Sequence, residues 1–291
     1  MAVRNMQREM LRSSFSVVTP NYNMGEYLAE TIDSVLSNLR PGDEYFIIDG
    51  GSTDDSVEII RRYEQYLAGW VSEKDRGYAD ALAKGFACST AEYQCWINCG
   101  DLLLSGTLNE ACVRLATTGA DMIFGDDLYI DEAGRVLQVS NGHVDDLAAM
   151  MLHGGWTPLQ DACYWRRSLY EKVGGVDPSQ RYAADYDLFL RMSLNGNCQY
   201  VPAIFSAFRR HGGQTSNVHA KRYQQEREQC RQRELAQRSD GSWRLLMRNG
   251  SYWFKARWRA RVRGSKHNMP QLIGENVAGL HCQPFENLTR S

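Results

Sequence analysis

Four aspartates stand where a folded chain can put them to chemical use: Asp49, Asp101, Asp185 and Asp187. Asp49 closes the β-rich run EYFIID (44–49) and opens GGSTDDS; Asp101 closes Asn98-Cys99-Gly100-Asp101, directly after EYQCWI (92–97). The other two sit in YAADYDLFLRM, at the start of a helical pattern. A carboxylate can take a proton as a general base, or give hard oxygen ligands to Mg²⁺ or Mn²⁺. Each also has a plainer role: Asp49 as cap of an Asp-Gly turn, Asp101 as cap of a helix starting near Ser105, and Asp185 and Asp187 as first-turn charges favoured by the helix dipole.

The elements that must hold these residues follow from periodicity. Apolar β-rich runs at 14–19, 44–49, 92–97 and 121–125 alternate with helical patterns, which predicts a mostly parallel sheet flanked by helices. Leu28, Ile32, Val35 and Leu36 recur at helical spacing, with Asn23 and Glu26 as a capping box. A second helix carries Val57, Ile60 and Leu67 on one side. Thr19–Asn23, Asp49 and Asn98–Asp101 all fall at strand ends, and in open α/β sheets ligands bind at the carboxyl ends of strands. From about Asp145 the pattern becomes α+β, with Leu188 and Leu190–Met192 on the apolar faces of the helix that starts near Asp185.

The blocks TPNYNMGEYLAETIDSVL, IIDGGSTDDSVEII, EKDRGYADALAKGF…WINCGD, QDACYWRRSLYEKVGG…AADYDLFLRM and FRRHGGQTS resemble glycosyltransferase family 2, in order, over roughly 14–217. The resemblance implies a GT-A fold and inverting transfer from a nucleoside-diphosphate sugar, most commonly UDP-linked, to a hydroxyl of a saccharide or lipid-linked saccharide. A nucleotide half would span about 14–125, an acceptor half about 126–217, and a basic helical extension 218–291. Thr19, Pro20 and Tyr22 would line the base pocket, and Asp49 would meet base or ribose. Asp75, Asp80 and Lys84 would run beside the nucleotide with Asn98. Ala83 stands where the family often has Asn. Asp101 would hold the divalent cation, Mn or Mg, as the only carboxylate of its motif, and His211, with Arg210 before it, would close over the diphosphate and assist the metal or the phosphates. Asp185 would be the general base and Asp187 the runner-up. Gln160, Trp165 and Arg166 would form the acceptor-side wall, although a Trp there is more often a core residue.

Composition narrows the alternatives. A hydrophobic content of 43% permits a sizeable core, and no internal repeat is visible. No apolar run is long enough for a membrane-spanning helix, and the charged N-terminus lacks a secretory pattern, so a cytoplasmic protein is expected. The eight cysteines form no CxxC pair and read as packing residues. No G-x-G-x-x-G follows the first strand, which argues against a dinucleotide-binding oxidoreductase; a non-catalytic sugar- or nucleotide-binding relative is the other competing class. Between 219 and 267 fourteen Lys and Arg face four Asp and Glu, a local +10 on a chain of net −2. Trp243, Tyr252, Trp253, Phe254 and Trp258 interleave there with Arg257, Arg259, Arg261 and Arg263, which suits a peripheral position on an anionic membrane. No nucleic-acid recognition motif accompanies the pattern.

Overall fold

The computed structural model describes residues 13–140, 142–144, 146–152, 157–212, 219–238 and 272–284. Strand β1 (Phe15–Asn21) is buried along its whole length, as is nearly all of β2 (Glu44–Asp49). They read as unbroken apolar runs because helices cover both faces of a parallel sheet. Helix α1 (Gly25–Leu36) buries Leu28, Ile32 and Val35 in the core. It starts differently from expectation: Met24 is the N-cap and no side chain caps it. Asn23 instead takes a positive φ of 50° and accepts a 2.8 Å hydrogen bond from the Thr53 N–H, so a long-range contact replaces the capping box.

Helix α2 (Ser56–Tyr63), strand β3 (Gly69–Ser72), helix α3 (Tyr78–Ala87) and strand β4 (Tyr93–Trp96) complete the parallel half. Leu67 falls beyond α2, past a short 3₁₀ turn. A Cβ on Gly85 would come within 2.5 Å of the Val18 side chain, so glycine lets α3 lie tight on β1. The chain continues through β5 (Leu102–Leu103), α4 (Thr107–Thr118), β6 (Met122–Ile130), β7 (Val136–Val139), α5 (Leu147–Leu152), β8 (Cys163–Arg166), α6 (Arg167–Lys172), α7 (Ala184–Asn195), β9 (Cys198–Arg209), α8 (Ala220–Gln237) and β10 (Gln283–Pro284).

One mixed sheet results, in the order β10-β9-β6-β8-β4-β1-β2-β3, with β5 paired to β9 and β7 to β6. This is the expected GT-A-like arrangement of a sheet between helices. Strand β8 alone separates the parallel half from β6 and runs antiparallel to both neighbours. Consequently β1, β2, β4, β6 and β9 all point the same way. Phe86, Trp96, Trp165 and Phe189 meet in one aromatic cluster, with Trp96 and Phe189 stacked at 5.4 Å, which joins α3, β4, β8 and α7.

Beyond 217, α8 packs on α7, and residues 272–284 return to the sheet, adding β10 to the edge of β9. The aromatic and arginine-rich stretch 243–263 lies outside the described residues. All eight cysteines lie among the described residues and no disulfide joins any two of them; Cys95, Cys112, Cys163 and Cys230 are buried, as packing residues are, and Cys88 is exposed.

Candidate active site

The parallel direction of β1, β2, β4, β6 and β9 gathers the polar signatures on one edge of the sheet. At the end of β1, Thr19 is buried and its hydroxyl shares a 3.0 Å hydrogen bond with the Tyr45 hydroxyl. Pro20 lies buried opposite Ile48, while Tyr22, just past the strand, is 61% exposed and free to meet a planar ligand. Asp49 ends β2 and is fully buried. Its Oδ1 accepts from Asn21 Nδ2 (2.7 Å) and Ser52 Oγ (2.5 Å), and its Oδ2 from the Ser52 and Gly51 N–H groups (2.9 and 3.2 Å) and Ser72 Oγ (2.6 Å). Burial alone would raise its pKa, but these hydrogen bonds outweigh it and hold the carboxyl below the usual range. Asp49 therefore caps its turn and ties together the ends of β1, β2 and β3. A nucleoside would reach it by sharing or displacing one of those hydroxyls.

Asp75 lies against Gly50, where a Cβ would stand 2.7 Å from its Oδ2, and it accepts from the Gly77 N–H at 2.8 Å. Burial pushes its pKa up, opposed by that N–H and by Lys84. Asp80, in the first turn of α3, receives Arg76 Nη2 at 2.6 Å, and Lys84 Nζ bridges Glu73 (2.7 Å) and Asp80 (3.6 Å). Asp49, Asp75, Asp80 and Lys84 thus form one charged neighbourhood at the end of β2 and the start of α3.

The turn after β4 is built by Gly100, at φ +104°, and by the Asp101 N–H bonding to the Asn98 carbonyl at 3.1 Å. Thr31 of α1 fixes it from behind, accepting from the Gly100 N–H (2.9 Å) and donating to the Asp101 carbonyl (3.0 Å). Helix α4 begins only at Thr107, behind Gly106, so Asp101 is not its cap. The Asp101 side chain is 5% exposed; Oδ1 accepts from the Arg209 N–H at 3.0 Å and Oδ2 from Gln160 Nε2 at 3.4 Å. Burial first, and then the charge of nearby Asp161, push its pKa well up. Asp127 and Asp161 are also buried, and their oxygens find no well-formed hydrogen bond although Ser206 stands beside both.

This donor set can be weighed against a divalent cation. Among the described residues no three His, Cys, Asp or Glu side chains are arranged to hold an ion. The turn offers one carboxylate oxygen met by Gln160 at 3.4 Å, with the Asn98 side chain nearby, beside two further buried carboxylates. It fits a hard cation that takes its remaining ligands from diphosphate and water, as Mg²⁺ commonly does, and does not fit a protein-caged ion.

Asp185 stands in the first turn of α7. The Tyr78 hydroxyl, at the start of α3, accepts from the Ala184 N–H (2.8 Å) and donates to the Tyr182 carbonyl (3.2 Å), joining the two helix N-termini. Tyr223 donates to Asp185 Oδ2 at 3.4 Å, whereas Oδ1 is buried and finds no hydrogen-bond partner among the described residues. Burial pushes this carboxyl up to about 6, against the opposing Tyr186 N–H, Arg227 and Tyr223. Burial first, and then nearby charges that include Asp161, Asp185 and Asp127, push the Cys163 thiol well up. Asp187 is different: fully buried, it is held by Arg191 at 2.5 Å and by Arg233, and so serves as the centre of an ion pair.

Of the expected acceptor-side residues, only Gln160 lies at this edge. Because β8 runs antiparallel to β4, its start is at the carboxyl edge and its end, Arg166, lies opposite Tyr93 at the amino end of β4. Arg166 accordingly binds Glu92 at 2.6 Å and the Ala120 and Leu115 carbonyls, away from Asp101. Trp165 is fully buried and donates to Gln94 Oε1 at 3.1 Å; its ring belongs to the core and offers no face to a sugar. His211 lies 6.0 Å from the Tyr27 ring, over which Arg209 also stacks, and so comes near the Asp101 turn; Arg210 covers Tyr129 at 3.9 Å. Tyr78, Asp127, Asp161, Arg209, Tyr223 and Glu226 join the site without having been anticipated. Only the Asp126-Asp127 pair inside an apolar strand carried a signal of its own.

Comparison with known proteins agrees with this geometry. The family model described as glycosyl transferase family 2 matches residues 16–211. An uncharacterized glycosyltransferase of Nostoc sp. is 28% identical over 211 residues, covering 68% of this chain and 65% of its own length, so the match stops short of two thirds of that relative. A PGL/p-HBAD biosynthesis glycosyltransferase of Mycobacterium bovis is 22% identical over 72% of this chain and 82% of its own. Among solved structures, S. aureus TarS 1-349 in complex with UDP-GlcNAc superposes with a TM-score of 0.57 at 16% identity, covering 70% of this chain and 60% of that one. A mannosyltransferase from Pyrobaculum calidifontis in complex with GDP-Man and Mn²⁺ gives 0.53 at 19% identity, covering 77% and 67%. With the family match running over residues 16–211, from β1 to the end of β9, the chain belongs to glycosyl transferase family 2.

Proposed function

We propose that this chain is an inverting glycosyltransferase that moves a sugar from a nucleoside diphosphate, UDP-linked, to a hydroxyl of a saccharide or lipid-linked saccharide. The observation that carries the reading is Asp185: a carboxylate with a buried, unpartnered oxygen and a pKa raised to about 6, in the first turn of a helix joined through Tyr78 to the start of α3. A base poised below neutrality is ionised at pH 7 yet able to take a proton. Asp185 Oδ1 takes the proton of the acceptor hydroxyl as its oxygen attacks the anomeric carbon, and the diphosphate leaves from the opposite face. One displacement inverts the anomeric centre, with no covalent enzyme intermediate. Tyr22 and Asp49, with Thr19 and Pro20 behind them, bound the nucleoside end; Asp75, Asp80 and Lys84 flank it. Asp101, with Asn98 beside it and His211 nearby, would hold Mg²⁺ or Mn²⁺. When bound, that cation supplies positive charge to offset the leaving diphosphate.

Gln160 is the acceptor-side residue the reading retains. The UDP-GlcNAc complex of TarS supports the UDP donor, while the GDP-Man complex of the archaeal enzyme makes GDP-sugars the competitor to test. Among the described residues no helix is long and apolar enough to cross a membrane. The basic segment 219–267 supports a peripheral place on the cytoplasmic membrane face, which sedimentation with anionic vesicles at low salt would test. A thermal-shift screen of nucleotides and nucleotide-sugars, with and without Mn²⁺, tests the donor, since a bound ligand raises apparent stability by mass action. The reading requires a metal-enhanced shift with a nucleoside diphosphate; no shift with any of them would refute it.

A further inference from the structure

We propose that α8, which lies beyond the family-matched region, is a working part of the reaction centre, with Glu226 and Tyr223 as positioning residues that set where Asp185 stands. This rests on the function proposed above. Helix α8 fully buries only Cys230 and Glu234 among eighteen residues, with Tyr223 and Leu235 half-buried against the core, so apolar packing alone holds it weakly. What holds it is a row of specific polar contacts, and they converge on the peptide either side of Asp185. Glu226 Oε2 accepts from the Tyr182 N–H at 2.7 Å and the Ala183 N–H at 2.9 Å, with the Arg181 N–H at 3.2 Å. Arg222 donates to the Tyr182 hydroxyl at 2.8 Å, and Arg227 stacks over Tyr186 at 4.6 Å. Tyr223 reaches Asp185 itself, and Arg233 holds Asp187.

The need for such a brace is written in α7. Its N-cap is Ala183, which has no side-chain acceptor, so the N–H groups entering the helix lack the usual local partner. From another helix Glu226 brings a carboxylate to the N–H of the N-cap residue, Ala183, and to those of Tyr182 and Arg181 just before it, and its negative charge also suits the positive end of the α7 dipole. Residues 223, 226, 227, 230 and 233 recur at three- and four-residue spacing, so a single face of α8 makes these contacts. A general base must meet its hydroxyl within hydrogen-bond reach, and a misplacement of about 1 Å can cost on the order of 100-fold in rate.

The test uses the full chain with Glu226→Ala, Glu226→Gln and Tyr223→Phe, measuring kcat, donor KM and hydrogen exchange of the 181–184 amides. Glu226→Ala should lower kcat on the order of 100-fold, leave donor KM unchanged and speed exchange of the Tyr182 and Ala183 amides. Glu226→Gln, whose amide oxygen still accepts, should restore most of kcat. Tyr223→Phe should move the acidic limb of the kcat profile upward, because the phenol no longer favours the carboxylate. If Glu226→Ala fails to fold, Tyr223→Phe decides: an unmoved limb with parental kcat overturns the inference. So does a Glu226→Ala protein with parental kcat, or one whose kcat, donor KM and stability fall together without rescue by Gln. A parent that turns over no nucleotide-sugar overturns the functional reading and this inference with it; an active parent with equally active variants overturns this inference alone.

Discussion

Replacing Asp185 by Asn isolates proton acceptance from shape. The amide fills the same volume and can still accept from Tyr223, but it cannot take a proton at the buried position now held by Oδ1. Loss of a general base costs roughly 10²–10⁴ in rate, so kcat should fall by that factor while nucleotide affinity is retained. The parent enzyme should reveal the same group through pH. With the carboxyl raised to about 6, the ionised fraction is roughly 91% at pH 7, ~50% at pH 6 and ~9% at pH 5, and kcat should follow it. The sign of the stability effect is opposite. The folded carboxyl binds its proton more tightly than the unfolded one, so protonation stabilises the fold as pH falls from about 6 towards the ordinary carboxylate range. Activity and stability should therefore diverge through that window, which an inactivation caused by acid unfolding would not produce. Initial rates of nucleoside diphosphate release, paired with thermal melts from pH 5 to 8, measure both. Parental turnover in the Asn variant, or an acidic limb that survives in it, would sink the assignment.

Asp101→Ala should weaken metal-dependent binding of a nucleoside diphosphate, and excess chelator should reproduce the loss in the parent; calorimetric titration with and without Mn²⁺ checks this, and full turnover in chelator would contradict it. Trp165→Ala should cost about 3–5 kcal/mol in denaturant unfolding, the range for a large aromatic removed from a core; a loss below about 1 kcal/mol would mean the ring is not packed as described. Truncation after Asn217 should give an insoluble or markedly less stable protein, because it strips Arg233 from buried Asp187, Glu226 from the α7 start and β10 from the sheet edge. A soluble truncated chain with parental melting behaviour would refute that.

How much of this was legible beforehand depended on whether the deciding contact was local. Strands β1, β2 and β4 were readable because continuous apolar runs announce buried parallel strands, and Asp49 and Asp101 followed as the polar residues that end them. Strand β6 was readable only in its first half, since Gly125 and the buried Asp126 and Asp127 interrupt the apolar pattern while the strand runs on to Ile130. Trp165 and Arg166 lie away from the Asp101 edge for a topological reason. Periodicity cannot give the direction of β8, and that direction alone decides that Gln160 reaches the site while Arg166 lies at the far edge. The expected cap at Asn23 failed to a contact with Thr53, thirty residues on. Helix α8 reads as a solvated helix because its docking rests on ion pairs and a cap, whose partners are remote in sequence.

Asp185 and Asp187 show how one helix turn holds two carboxylates for opposite ends. Both are among buried surroundings, and both begin with the same intrinsic acidity. Asp187 meets two guanidinium groups, so its charge is neutralised where it forms and its oxygens are occupied. Removing either arginine would leave an uncompensated buried charge, which makes that pair a fixture of the α7–α8 contact. Asp185 is given no such partner. Arg227 lies near enough to moderate its titration but stacks on Tyr186, and the Tyr223 hydroxyl, its side-chain donor among the described residues, stands at 3.4 Å. Its remaining oxygen is kept from water without being satisfied. That residual deficit makes a proton welcome there, and the pairing of Asp187 supplies the rigidity that lets Asp185 keep it. The division of labour follows from which carboxylate the arginines can reach, and helix spacing settles that before any substrate arrives.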